Sequence, residues 1–335
     1  MTKEIKQNSS PFKDNQNSKV ICVLGMHRSG TSAMMGMLQN MGLDLGTNLM
    51  GPAEDNPKGF FENENVTFLN DKILRTLGSS WDDTFLLPSE WWKNKQVLEN
   101  YINEAIELLK KEFNTKEMFG IKDPRMCILL PFWQSIFKKL NINSCFIITI
   151  RNPLEVAESL YKRNNFSFEK SIILWMRYML DAEYYTRELT RIFISYDELL
   201  KNPEGVTKLI EDGLNIKLPK AYKDVAFEIK QFLEPKLKHH NISQINVDQQ
   251  LVNIISDYFF LLLKLEKNQA NSILQEIDSI RSNFYRLHSL FYNVDLLNQK
   301  KRLETEITTK DQHIANLEQS IQAKDQHIAN LEQSI

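Results

Sequence analysis

The chain has 335 residues, 42% of them hydrophobic and 25% charged, enough to bury one large core or two ordinary ones. Its 41 basic and 43 acidic residues give a formal charge of −2, which argues against a broad surface for duplex nucleic acid and leaves room for a local basic pocket. The N-terminus lacks the apolar core of a signal peptide, and the densest apolar run, Tyr258 to Leu263, is closed by Lys264, short of the ~18 residues of a membrane span. A soluble, cytoplasmic protein is expected.

Residues 1–18 are polar and rich in Asn, Ser, Gln and Lys, which predicts a disordered lead-in. From Val20 to about residue 217, short β-branched runs alternate with helical stripes, the pattern of a parallel sheet covered by helices. The expected strands are Val20–Leu24, Phe119–Ile121, Cys145–Ile150 and Ile192–Ile194. Met34, Met35, Leu38 and Met41 form a helical stripe that stops at Gly42, and Val66, Leu69, Ile73 and Leu77 form another before Gly78. A third helix is expected over 93–113. Asn152-Pro153 and Asn202-Pro203 read as cap-then-proline helix starts. Cys22, Cys127 and Cys145 contain no close-spaced pair, so no disulfide framework or zinc site is readable, and those in strand-like runs are expected as buried thiols.

Beyond residue 240 the strand pattern stops, and 246–292 read as entirely helical. A heptad then begins near 293. Ile307, Ile314, Ile321, Ile328 and Ile335 are seven apart, Leu296, Leu303, Leu317 and Leu331 fill the intervening position, and KDQHIANLEQSI at 310–321 recurs unchanged at 324–335. This predicts a coiled coil that mediates self-association. An amphipathic helix lying on the domain is the alternative.

The first strand runs into Gly25-Met-His-Arg-Ser-Gly30-Thr31-Ser32 and then straight into a helix. A strand, a GxxxxG loop and a helix make a phosphate cradle: glycines let backbone N–H groups turn inward, and the helix aims its positive end at the anion. Nucleotide triphosphatases follow the second glycine with Lys and then Ser or Thr. Here Thr31 stands in the Lys position, and Arg28 inside the loop supplies the cation. The clamp for β- and γ-phosphates is absent, so a shorter phosphate chain fits better than a nucleoside triphosphate.

Ligands of open parallel sheets bind beyond the carboxyl ends of the strands. Polar clusters recur there: Lys122-Asp123-Pro124-Arg125, Arg151-Asn152-Pro153 and Tyr196-Asp197. Ser159 lies two turns into the helix opened by Pro153, and Arg163 one turn further on the same face. Arg151, Ser159 and Arg163 arranged this way grip a second phosphate, well away from the first.

Together GMHRSGTS, IKDPR and RNPLEVAES, with DNPKGFFEN, ILWMRYML, ISYDELL and FLEPKLKHH in support, resemble the sulfotransferases that use 3′-phosphoadenosine 5′-phosphosulfate (PAPS). The likeness is to bacterial members linked to glycan modification and, more distantly, to the tyrosylprotein sulfotransferases, and it spans about residues 19–240. It implies a P-loop NTPase-like three-layer α/β/α fold with a parallel sheet. It implies an enzyme that moves the sulfuryl group of PAPS to a hydroxyl or amine acceptor, a saccharide by family likeness only, without a metal. Arg28, Ser29, Gly30, Thr31 and Ser32 would bind the 5′-phosphosulfate; Arg151, Ser159 and Arg163 would hold the 3′-phosphate, with Tyr196 nearby. Lys122 would stabilise the transition state, and Lys236 or Lys238 would contact the cofactor from a closing loop.

Glu62, in Gly59-Phe-Phe-Glu-Asn63, is the expected base by its match to a glutamate of the tyrosylprotein enzymes, with Phe60 and Phe61 partly desolvating it. The alternative is that Glu62 and Glu64 complement the next helix N-terminus, with Asp55 and His27 as reserves for the base. The segment around Trp81, Asp82, Asp83, Trp91 and Trp92 would stack on a sugar, or else serve as core or lid. The expected organisation is a tail over 1–18, the sulfotransferase-like domain over 19–240, a helical extension over 241–292 and the coiled coil over 293–335. Two other classes stand beside this reading. A P-loop phosphotransferase would need a Mg²⁺ carboxylate, for which Asp197 is the one residue at hand because Arg151 ends the third strand. The other is a non-catalytic coiled-coil scaffold carrying a degenerate P-loop domain.

Overall fold

The computed structural model describes residues 18–233, 249–267 and 270–288, together with positions 307, 308, 310, 314, 317, 321 and 324. Four strands form one parallel sheet: β1 (Lys19–Leu24), β2 (Met118–Lys122), β3 (Asn143–Ile150) and β4 (Thr190–Ser195), in the order β2-β1-β3-β4. The expected strands are all present, each longer by one to three residues than its apolar run. Ser18, expected in the tail, is buried, and its hydroxyl donates to Lys116 O at 3.0 Å.

Parallel neighbours need crossovers, and helices supply them. Between β1 and β2 lie α1 (Thr31–Asn40), α2 (Glu64–Thr76) and α3 (Lys95–Phe113); between β2 and β3 lies α4 (Met126–Lys139); between β3 and β4 lie α5 (Pro153–Asn164) and α6 (Phe168–Tyr185). After β4 come α7 (Tyr196–Lys201), α8 (Pro203–Leu214), α9 (Tyr222–Phe232) and α10 (Gln249–Lys267). Side chains alternate across each strand. Ile21, Val23, Cys145, Ile147, Ile192 and Ile194 share a core with α1, α8 and α9, while Val20, Cys22, Leu24, Phe146, Ile148 and Phe193 are buried on the other face, where α4 and α10 pack. Burying each large apolar side chain contributes about 1.5–3 kcal/mol. Both faces are covered, so the strands read as unbroken apolar runs. All three cysteines are buried and free.

Local signals place the helix ends. Asn152 Oδ1 accepts from Leu154 N–H at 2.9 Å ahead of Pro153, and Asn202 Oδ1 accepts from Gly205 N–H at 3.0 Å. At the end of α1, Leu43 N–H donates to Leu38 O at 3.0 Å and Gly42 N–H to Gln39 O at 2.9 Å, a Schellman pair.

Helix α10 packs on β3, β4 and α5, and Glu266 accepts the Ser195 N–H at 2.7 Å, so this helix covers the sheet itself. The stretch expected to be entirely helical is interrupted at Ala270, before a second helix over 271–288. The described residues up to Arg281 belong to one compact unit. Most of the heptad segment 293–335 lies outside the described residues, and Ile307, Ile314, Leu317 and Ile321 within it are exposed. No helix among the described residues is long and apolar enough to cross a membrane.

Candidate active site

The turn after β1 requires glycine at both ends. Gly25 has φ +147°, and a Cβ there would lie 2.4 Å from Thr149 Oγ1; Gly30 has φ +89°, and a Cβ there would lie 2.3 Å from the Tyr196 ring. Arg28 between them also has positive φ, +70°, a conformation costing a non-glycine residue about 1 kcal/mol or more. Gly30 caps α1 without a side chain, leaving the first N–H groups of the helix to face a ligand.

Arg28, Gly30, Thr31, Ser32, Glu62, Lys122, Arg151, Ser159, Arg163 and Tyr196 line one cleft of about 460 Å³ at the carboxyl ends of the strands, and Ser29 does not. Ser29 is fully buried, its hydroxyl has no hydrogen-bond partner among the described residues, and its N–H is spent on Met26 O at 3.0 Å. Two larger depressions, about 920 and 1040 Å³, lie at the opposite strand ends and contain no buried cation. Asp197 is exposed and outside the cleft lining.

The first cationic group centres on Lys122, the last residue of β2. Its Nζ donates to Ser32 Oγ at 3.1 Å, Phe60 O at 3.0 Å and Glu62 Oε1 at 2.5 Å. Burial raises the Glu62 carboxyl above its usual range, and the opposing pull of Lys122 does not cancel it. Arg125 Nη1 lies 4.0 Å from Glu62 Oε2. Arg125 is itself fixed by Asp71 at 2.6 Å and Asp123 at 3.0 Å, and Asp123 accepts from Asn70 Nδ2 at 2.8 Å. In Lys-Asp-Pro-Arg the lysine thus faces the cleft, while the aspartate holds Arg125 and Asn70 in place.

The second group lies toward α5. Arg28 Nε donates to Ser159 Oγ at 2.8 Å, and Arg163 Nη1 lies 3.7 Å from Asp55 Oδ2. Arg151 Nη1 donates to Arg28 O at 2.9 Å, its Nε to Glu155 at 3.0 Å, and its guanidinium lies 4.8 Å from the Tyr196 ring centre, so Arg151 braces the turn. Burial and then the neighbouring Arg163 and Arg151 pull the Arg28 pKa down, against Asp55. His27 completes the wall: it is nine-tenths buried, its ring centre is 4.6 Å from that of Trp81, and its Nε2 has no partner among the described residues. Burial, reinforced by Arg125, Arg163, Lys122 and Arg28, holds its pKa well below 6.5.

The aromatic segment divides. Trp81 contacts His27, Phe166 and the Arg163 guanidinium, whereas Trp91 and Trp92 stack edge-on with each other and Trp92 with Tyr185. None of the three tryptophans lines the cleft. Asp82 pairs with Lys170 at 3.0 Å. Lys236 and Lys238 lie outside the described residues. The sequence reading missed the roles of Asp71 and Arg125, and it weighed Asp55 only as a base; residues 55 and 71 carry no local signal of partners so far along the chain.

No protein-family model matches the chain, and no curated protein matches it. Solved structures do. The sulfotransferase domain of the Synechococcus PCC 7002 olefin synthase is 15% identical with a TM-score of 0.42, over 73% of this chain and 96% of that one. Sulfotransferase STF1 of Mycobacterium tuberculosis is 14% identical with a TM-score of 0.39, over 72% and 76%. Retinol dehydratase, solved with androsterone and the inactive cofactor PAP, is 11% identical with a TM-score of 0.37, over 77% and 83%. Among solved structures, then, the chain is similar to sulfotransferases.

Proposed function

We propose that the cleft moves a sulfuryl group from PAPS to a hydroxyl or amine acceptor, with a saccharide as the acceptor class. The observation that carries this reading is two separate cationic groups in one cleft: Lys122 beside the glycine turn, and Arg28, Arg163 and Ser159 toward α5. A donor phosphorylated at both its 5′ and 3′ positions needs two anion sites, whereas a nucleoside triphosphate needs one extended site. The residues fit such a donor, since the turn admits no Cβ at Gly25 or Gly30 and α1 has no side-chain cap of its own.

When bound, the donor supplies a sulfuryl group already activated on a 5′-phosphate leaving group. Lys122, held by three acceptors, places its side-chain nitrogen where negative charge develops on departure. Ser159 and Arg163, with Arg151 bracing Arg28, orient the donor through the second group. Glu62 takes the acceptor's proton at a carboxylate oxygen, its basicity raised by burial. A thermal shift of the full chain tests the reading. 3′,5′-Adenosine bisphosphate (PAP) is expected to stabilise it, by about 2.7 kcal/mol at a hundredfold excess over Kd. Stabilisation by ATP with Mg²⁺ and none by PAP overturns it. Self-association through 293–335 is part of the proposal on the heptad spacing alone; light scattering of the full chain and of residues 1–292 tests it.

A further inference from the structure

The second cationic group already faces an anion of the chain itself. Asp55, in the segment 51–59 between α1 and α2, places Oδ2 3.4 Å from Arg28 Nη1 and 3.7 Å from Arg163 Nη1. Its main-chain carbonyl accepts from Arg28 Nη1 at 3.1 Å. These arginines are half-buried, and Arg28 also donates to Ser159.

We propose that Asp55 is an internal competitor for the second anion site, whose carboxylate must leave Arg28 and Arg163 before a phosphate is gripped there. This rests on the reading of the cleft as a donor site. Charge decides the exchange. The carboxylate brings one negative charge at long distances, whereas a phosphate monoester brings close to two charges and three acceptor oxygens to the same guanidinium groups. A ligand with a phosphate only at its 5′ position has nothing to offer Arg163 and leaves Asp55 in place.

The segment is built to let Asp55 go without dismantling the first group. Ala53 and Asn56 exchange both main-chain hydrogen bonds, at 3.2 and 2.9 Å, and Asn56 Nδ2 donates to Gly59 O at 2.7 Å, so the turn holds its own shape. Residues 51–54 are exposed. Lys58 anchors the far side by donating to Phe232 O at 2.5 Å, and Phe60 O and Glu62 stay tied to Lys122. Occupation of the second site therefore releases the turn at Asp55 while Glu62 keeps its place.

Calorimetric titration of the full chain tests this with two probes, PAP and adenosine 5′-monophosphate, against wild type, Asp55→Asn and Asp55→Ala. Both variants are expected to bind PAP roughly three- to tenfold tighter, as befits the loss of a half-buried competing ion pair, and to bind the monophosphate within about twofold of wild type. Wild type that binds PAP, with variants that bind it no tighter, overturns the inference and leaves the donor site standing. An equal gain for both probes also overturns it, because it marks a general charge effect. Absence of PAP binding in wild type and variants overturns the donor-site reading and this inference with it.

Discussion

Lys122 Nζ and Glu62 Oε1 lie 2.5 Å apart, with the two side chains only 2% and 6% exposed. A buried ion pair contributes little net stability, yet losing one partner leaves a desolvated charge behind, at a cost of about 3–5 kcal/mol. Lys122 keeps Ser32 and Phe60 as acceptors if Glu62 is changed, which places the cost at the low end of that range. The pair therefore links the proposed chemistry to stability.

Glu62→Gln is expected to lower turnover by roughly 10²–10⁴, the size of a lost general base. It is also expected to lower the melting temperature, because the uncharged amide no longer offsets Lys122. Removing both charges in Glu62→Gln/Lys122→Met should recover most of the stability and none of the activity. Full turnover in Glu62→Gln would move the base elsewhere.

The pH dependence of kcat/KM should carry the same signature. Glu62 acts deprotonated, and burial raises its carboxyl above 4.5. Activity is therefore present above the raised pKa and is lost as pH falls through it. The acid limb of the profile is expected above pH 4.5 and should be absent from the residual activity of Glu62→Gln. An unchanged limb in the variant assigns it to another group.

His27 gives a stability signature of opposite origin. Its folded pKa is held well below 6.5, the value of the free side chain, so the unfolded chain binds the extra proton first. The stability this contributes is complete above about pH 6.5 and is lost as pH falls from there toward the folded value. Melting temperatures measured from pH 7.5 to 5 should fall less steeply for His27→Asn than for wild type, the difference amounting to at most about 1.4 kcal/mol per pH unit. Identical slopes would remove His27 from the account.

Arg28→Ala and Arg151→Ala are each expected to weaken PAP binding more than tenfold, since a charge-assisted contact is worth about 1.5–3 kcal/mol. Their secondary effects should differ. Arg151 supports the main chain of the turn through Arg28 O and Tyr196, so its variant should also lose affinity for adenosine 5′-monophosphate. Unchanged PAP affinity in both variants would remove the cofactor assignment.

The strands were legible because a sheet covered on both faces buries every residue of a strand, and Val20–Leu24 or Cys145–Ile150 then stand out as unbroken apolar runs. Helices α1, α2, α5 and α8 announced themselves through a stripe or a cap. Helix α4 did not: from Met126 to Trp133 every residue is buried and Pro131 sits inside, so there is no polar face to set a period. The interruption at Ala270 lacks a Gly or Pro to mark it.

By itself the sequence determined the glycine turn, the cap-then-proline helix starts and the placing of Lys122 and Arg151 at strand ends. Each of these follows from backbone chemistry within a few residues. Only the tertiary structure decided which charges meet: Lys122 with Glu62 across 60 positions, Arg125 with Asp71 across 54, Arg28 and Arg163 with Asp55, and Ser29 turned inward although it stands in the loop motif. An ion pair is set by distance and desolvation in space, and neither is written in the local spacing of the residues that form it.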